Sequence, residues 1–435
     1  MIWLFNTLYL AGLLLGAPWL LWRWLVRGKS IAGWRSKLTG ADAVSGTRPR
    51  IWLHAVSVGE VNLLAILVPA LRRQWPGHDV VVSTTTRTGR QVAEQKFANV
   101  ATIVWFPWDF SWAVRRALQQ IQPQCIVLSE LELWPNFLRI AAQQGVPIAV
   151  INGRLSERSA RGYQRWRFLL GDVFARVQLV AAQNSTYAQR FIALGVPERR
   201  VFITGNLKFD GAVFERDNPR TRQLASLLGP TGDETFWIAG STQHPEESHV
   251  IRVYADLRRE FSRLRLILVP RHPERAAAVE SLIRAAGLRC VRRSQLAKPV
   301  RLDSETVLLI DTVGELAGWW GLAQLAYVGG SLGLRGGQNM IEPAAFGAAI
   351  AFGPNTQNFR DVVELLLQAG GAEVVRDAAE LKQWVRRCLE NPEWAGSMGA
   401  RAAQVVAQQA GATAAMLARL AEVLPLTVGS WRAAS

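Results

Sequence analysis

Residues Ile310 to Arg360 read IDTVGELAGWWGLAQLAYVGGSLGLRGGQNMIEPAAFGAAIAFGPNTQNFR. The order of residue types predicts helix, strand, glycine-rich loop, helix and strand. Leu325 to Val328 is a short apolar run closed by Gly329, Gly330 and Ser331. Gly333, Arg335, Gly336 and Gly337 follow, before a helix expected to open near Gln338 and Asn339. Glycines let backbone N–H groups crowd an anion, and a helix N-terminus adds partial positive charge. Arg335 adds a full charge in the same loop. Glu342, one turn into the expected helix, does not suit a phosphate but can accept hydrogen bonds from ribose hydroxyls. Pro343 beside it sits where a first helical turn tolerates proline. Two readings are open. One is a plain strand-to-helix connection with capping glycines. The other, favoured by Arg335, Asn339 and Glu342 together, is a nucleotide site with phosphate on the loop and ribose on Glu342.

Outward from this stretch the same alternation continues in both directions. Phe236–Ala239, Leu266–Val269, Cys290–Val291, Val307–Ile310, Leu325–Val328 and Ala349–Phe352 read as strands of one half. Ile51–Ala55, Val80–Ser83, Ile103–Trp105, Cys125–Leu128, Ile148–Ile151, Leu179–Ala182 and Val201–Thr204 read as strands of the other. Helical stretches separate them, so the expected fold class is α/β: two doubly wound, Rossmann-like parallel sheets. The pattern divides into a segment 1–28, a first domain 29–215 and a second domain 216–435. The tail from Glu380 to Leu424 is helical by its Ala, Leu, Gln and Arg content.

The chain has 435 residues, 49% of them hydrophobic and 19% charged, enough for two cores. Its three cysteines, Cys125, Cys290 and Cys388, form no metal-ligand or redox spacing and fit a reducing compartment. The net charge of +16 points to nucleic acid, an acidic lipid surface or anionic substrates. The arginines are scattered and no nucleic-acid-binding motif occurs, so nucleic acid is the weakest of the three. Met1 to Trp22 carries no ionisable side chain except Tyr9, and Arg23, Arg27, Lys29, Arg35 and Lys37 follow. Its length just suffices to cross a bilayer, and Trp3, Trp19, Trp22 and Trp24 suit the interface. The charges come after the apolar run, which is the wrong order for a signal peptide and places the body on the cytoplasmic side. Pro18 leaves open whether this anchor spans the membrane or dips into it.

In a doubly wound sheet, functional residues lie at the C-terminal ends of strands. There the first half offers Ser57-Val58-Gly59-Glu60, Arg87, Glu130, Glu132 and Arg154, with Lys208 just beyond its last strand. The second offers Ser241, Arg271-His272, Glu315 and the glycine-rich loop. Glu60 reads either as a carboxylate capping its helix or as a general base. Arg271, closing an apolar strand between prolines, reads as ligand-facing. His244, His249 and His272 match no metal-ligand spacing, and no Asp-x-Asp occurs, so neither a metal ion nor another cofactor is expected.

These segments together resemble the 3-deoxy-D-manno-octulosonic acid (Kdo) transferases of Gram-negative lipopolysaccharide assembly. The resemblance rests on His54-Ala55-Val56-Ser57-Val58-Gly59-Glu60, Ser129-Glu130-Leu131-Glu132-Leu133-Trp134-Pro135-Asn136 and Gly205-Asn206-Leu207-Lys208-Phe209-Asp210. It continues through Pro270-Arg271-His272-Pro273-Glu274-Arg275, Asp311-Thr312-Val313-Gly314-Glu315-Leu316 and the glycine-rich stretch to Phe359. It implies the GT-B glycosyltransferase architecture, with inverting, metal-independent transfer of Kdo from CMP-Kdo to a lipid A precursor at the inner membrane. It implies Glu60 as base, and the strand-end residues Ser57, Gly59, Arg87, Glu130, Glu132, Arg154 and Lys208 form an expected acceptor-binding or interdomain set. The implied donor set is Ser241, Arg271, His272, Glu315, Gly329, Gly330, Arg335, Gly337, Asn339 and Glu342. Gln338 stands where the family usually has histidine, and Gly153 where alanine is usual. A sugar-nucleotide epimerase of the same two-half fold and a non-enzymatic membrane-bound binding protein are the alternative readings.

Overall fold

The computed structural model describes residues 2–27, 32–42, 44–229, 232–296 and 298–423. The chain forms two compact units: Met1–Asp210 with Ala410–Ser435, and Gly211–Gln409.

The first unit is built on β1 (Arg50–His54), β2 (Asp79–Thr84), β3 (Thr102–Trp105), β4 (Pro123–Ser129), β5 (Ile148–Gly153), β6 (Leu179–Ala182) and β7 (Val201–Ile203). All seven are parallel, in the order β3-β2-β1-β4-β5-β6-β7. Near-continuous apolar strands such as β4 are what a sheet covered on both faces requires. Successive side chains serve opposite faces. Trp52, Val81, Ile126 and Leu128 enter one core, while Ile51, Leu53, Val80, Val82 and Val127 enter the other.

The second unit holds β8 (Thr235–Thr242), β9 (Leu264–Pro270), β10 (Arg289–Arg292), β11 (Thr306–Leu309), β12 (Leu325–Val328), β13 (Ala349–Phe352) and β14 (Ala372–Val374). They too are all parallel, in the order β10-β11-β9-β8-β12-β13-β14. Each sheet reverses its winding once, between β1 and β4 in the first unit and between β8 and β12 in the second. Such switch points are where ligands sit on open α/β sheets. In the first unit the switch point joins the segments after β1 and β4, which carry Glu60, Glu130 and Glu132. In the second, by itself, it joins the end of β8, which carries Ser241, to the glycine-rich loop after β12.

Four details depart from the sequence reading. β14 is a short strand without the apolar run that marks the others. The glycine-rich loop runs on to Met340, so the helix after it is only Ile341–Ala345, and Glu342 lies at its start. The tail forms Ala378–Glu390, Pro392–Gln409 and Ala412–Val423. The last of these belongs to the first unit, not the second: it packs on β6 and the helix Val58–Gln74, and Met416 and Leu420 lie in the same buried core as Ile51 and Leu53. Asp210 accepts hydrogen bonds from the N–H groups of Gly411 at 2.7 Å, Ala412 at 3.2 Å and Thr413, fixing the crossing back. The fourth concerns the N-terminal segment.

Ile2–Arg27 is one 26-residue helix containing Pro18, and among the described residues no helix is long and apolar enough to cross a membrane. Its first turns dock on the first unit through buried polar groups. Asn6 Nδ2 donates to Ser111 Oγ (2.8 Å), and Asn6 Oδ1 accepts from Ser111 N and Asn136 Nδ2 (3.0 and 3.1 Å). Tyr9 donates to Asp109 Oδ2 at 2.8 Å, and Asp109 also accepts from the N–H groups of Asn136 and Phe137 at 3.0 and 2.7 Å. Hydrocarbon offers no partners for such groups, so these turns are protein-bound. The side chains of Trp19, Arg23, Trp24, Arg27 and Lys29 lie outside the described residues. Lys37, assigned to the basic flank, is instead buried: its Nζ donates to Thr85 O at 2.8 Å and lies over the Trp105 ring.

Candidate active site

At the first switch point, β1 ends in His54 and the chain turns into the helix Val58–Gln74. Ser57 is the N-cap. Its Oγ accepts from Glu60 N at 3.4 Å and donates to Glu60 Oε1 at 2.8 Å, while Val56 N donates to Glu60 Oε2 at 2.9 Å. This is a variant of the capping box in which the carboxylate reaches the amide before the cap and the cap's own hydroxyl. Each carboxylate oxygen keeps unused acceptor capacity, so capping and proton acceptance are compatible roles for one side chain. Thr86 Oγ1, the cap of the helix Arg87–Phe97, donates to Val56 O at 2.9 Å and binds the neighbouring strand end to the Glu60 turn. Arg87 opens that helix with its side chain exposed.

Glu130 and Glu132 leave β4 beside this turn. Glu130 adopts a left-handed backbone at φ 58°, its N–H donating to Ile151 O at 2.9 Å. Burial pushes the Glu132 carboxyl up to about 7. The hydrogen bond from Trp134 Nε1, at 3.0 Å, opposes the rise, and the charges of Glu60 and Glu130 add to it. Three carboxylates therefore gather at one end of the sheet, one of them poised to titrate near neutrality. His54, directly before the turn, is no proton donor. It is fully buried and stacked on Phe106 at 3.7 Å between ring centres, and burial lowers its pKa to about 3.

Arg154 is half-buried just past β5, and Lys208 lies in the turn Leu207–Phe209. That turn is fixed from beneath. Asn152 Oδ1 accepts from Leu207 N and Asn206 Oδ1 from Lys208 N, both at 3.0 Å, and Gln183 bridges the two asparagines.

In the second unit, Gly329 and Gly330 follow β12. A Cβ on Gly329 would stand 2.6 Å from Thr242 Cα and 2.8 Å from Glu246 Oε2, and Gly330 has φ +69°. Only glycine suits both positions. Their amides are engaged within the unit: Gly329 N donates to Gly240 O, Gly337 N to Gly330 O, and Gly330 N to the carboxylate of Glu246. Several side chains at this end are open to a ligand. Arg271 and His272 are exposed after β9, Arg335 is exposed in the loop, and Ser241 sits half-buried at φ 55°. Asn339 Oδ1 accepts from Ile341 N and its Nδ2 donates to Glu342 Oε1, both at 3.0 Å. Burial raises the Glu342 pKa, against the Asn339 hydrogen bond and the charge of Arg220. Glu315 has structural partners: it accepts from Arg293 Nη2 at 2.9 Å and Thr312 Oγ1 at 2.7 Å.

The sequence reading passed over Glu246 and Glu247. An acidic pair after Pro245 reads as ordinary first-turn composition, and its loop partners lie far away in sequence. Among the described residues no group of three or more His, Cys, Asp or Glu is arranged to hold a metal ion.

Comparison with known proteins places this geometry in a family. Residues 32–211 match the family described as 3-Deoxy-D-manno-octulosonic-acid transferase (kdotransferase). The chain is 35% identical over 425 residues to a 3-deoxy-D-manno-octulosonic acid transferase of Bordetella pertussis, covering 94% of this chain and 96% of that protein. It is 31% identical over 369 residues to the Haemophilus influenzae protein of the same name, covering 84% and 85%. Its fold is shared with UDP-GlcNAc 2-epimerase from Neisseria meningitidis, at TM-score 0.57 and 11% identity over 86% of this chain and all of that one. The two parallel seven-stranded sheets are the GT-B architecture. The chain belongs to the Kdo transferases, the glycosyltransferases of lipopolysaccharide biosynthesis.

Proposed function

We propose that this protein transfers Kdo from CMP-Kdo to a hydroxyl of the lipid A precursor lipid IVA, with inversion and without a metal ion, at the cytoplasmic face of the inner membrane. The first unit takes the acceptor and the second the donor. The observation that carries the reading is Glu60, a carboxylate held at the first switch point by Val56 N and Ser57 Oγ in a chain of this family. The acceptor oxygen attacks the anomeric carbon as the bond to the CMP phosphate breaks. CMP leaves with the bonding pair, and the hydroxyl proton passes to Glu60. On the donor side Glu342 receives the ribose, and Arg271 and Arg335 offset the phosphate charge. A net charge of +16 suits a phosphorylated acceptor, an anionic donor and an anionic leaflet.

The test is transfer of labelled Kdo onto lipid IVA by purified protein, in the presence of a chelator, with the product's anomeric configuration read by NMR. Glu60→Gln should lower turnover by about a hundred- to ten-thousandfold while CMP binding stays intact. Absence of transfer by folded wild-type protein would overturn the acceptor assignment. Near-normal turnover by Glu60→Gln would move the base to Glu130 or Glu132.

A further inference from the structure

The helix Glu246–Leu257 begins with two acidic residues that are almost completely enclosed, Glu246 at 1% and Glu247 at 0% exposure. A buried carboxylate is tolerated only when its oxygens are satisfied. Glu246 is satisfied in an unusual way. Its Oε2 accepts from Gly330 N at 2.7 Å and Gln243 N at 2.9 Å. Its Oε1 accepts from Ser331 N and Leu332 N, both at 2.9 Å, and from the Tyr327 hydroxyl at 3.1 Å. Three successive N–H groups converging on one point make an anion-binding concavity. Here the protein supplies the anion.

Glu247 faces the other way. Its carboxylate lies 3.4 Å from Arg275 Nε and 3.5 Å from Arg275 Nη2, in the turn that carries Arg271 and His272. One helical turn therefore braces both segments that present donor-facing side chains. The bracing reaches further along the loop, because Gly330 O accepts from Gly337 N at 2.8 Å and Asn358 N donates to Gly336 O at 2.9 Å.

We propose that Glu246 is a positioning residue for the transfer reaction, an internal anion that fills the concavity formed by residues 330–332 and sets the loop in its donor-receiving shape. The donor's own phosphate is thereby directed away from these three amides and onto side chains such as Arg271 and Arg335. The inference rests on the reading that this loop receives the donor nucleotide.

Two measurements test it. The first uses unmodified protein: hydrogen exchange of the Gly330, Ser331 and Leu332 amides without and with CMP. The amides should be protected in both conditions. Free exchange without CMP and protection with it would show that they bind the ligand, and would overturn the proposal. The second compares Glu246→Gln and Glu246→Ala with wild type. Each should raise the KM for CMP-Kdo and the Kd for CMP by about tenfold or more, with kcat less affected. Propionate should restore the Glu246→Ala values, and propionamide, of similar shape without the charge, should not. Wild-type KM and Kd in either folded variant would sink the proposal. Glu342→Ala separates the two levels. If it loses CMP affinity while the Glu246 variants keep theirs, the positioning role alone fails. If all bind CMP normally, the nucleotide site itself lies elsewhere.

Discussion

At the scale of single residues, the carboxylates gathered at the first switch point sit in different surroundings. Glu60 accepts hydrogen bonds from Val56 N and Ser57 Oγ, whereas Glu132 is lifted to about 7 chiefly by burial. Glu132 is then neutral below that value and charged above it. Its negative charge favours departure of the proton from an acceptor hydroxyl bound at this end of the sheet, so kcat should rise through about pH 7. Glu132→Gln should flatten that limb, and an unchanged profile would show that the inflection belongs to another group. On the donor side, Glu342 is fixed by Asn339 and enclosed enough to feel burial. Glu342→Ala should weaken CMP binding by about ten- to a hundredfold in a calorimetric titration, the effect of losing a buried hydrogen-bond acceptor.

At the scale of elements, the N-terminal helix depends on a small polar network rather than on its apolar length. Asp109 anchors that network and is pushed up to about 6 by burial, against the hydrogen bonds from Asn136, Tyr9 and Phe137. A carboxyl held above its unfolded value stabilises the fold below about pH 4, and that contribution is lost as pH rises through 6. The Asp109 contribution to the thermal midpoint should therefore fall between about pH 4 and 6, against the rise contributed by buried His54. It is read as the difference between wild type and Asp109→Asn, and equal pH dependence in the two would mean that Asp109 does not titrate with folding. Tyr9→Phe removes one hydrogen bond, of about 1 kcal/mol, and should speed proteolysis within the first turns of the helix without changing Kdo transfer kinetics in detergent. Equal proteolysis in wild type and variant would mean that Tyr9 does not hold the helix.

At the scale of the whole molecule, the helix leaves an apolar side uncovered: Trp3 is 79% exposed, Leu14 74% and Leu15 85%. With a net charge of +16, this suits a helix lying in the membrane interface and held by anionic lipid as well as by apolar burial. The protein should bind vesicles of phosphatidylethanolamine with phosphatidylglycerol and bind less as salt rises. Leu14→Glu with Leu15→Glu should release most of it. Retention through alkaline carbonate washing would instead indicate a segment that crosses the bilayer.

Among the described residues thirteen of the fourteen strands are legible in the sequence, the central ones because a strand buried on both faces must be apolar throughout, and edge strands such as β7 and β10 from shorter apolar runs. In β14 the central residue is Glu373, which interrupts the apolar run. The strand-end motifs are legible for the same reason, since polar residues following apolar runs have few structural excuses. Glu60 and the glycine-rich loop were visible in this way. What tertiary structure alone decided is which groups spend their hydrogen bonds on one another. The amides of Gly329, Gly330 and Gly337 look available in a one-dimensional reading, yet each has a partner inside the unit. The partner of Gly330, Glu246, stands 84 residues away in sequence and next to it in space. The last helix shows the same thing: its composition gives a helix, and only packing on β6 and the helix Val58–Gln74 assigns it to the first unit. Local patterns fix what a segment can bury, while long-range packing fixes what it buries it against.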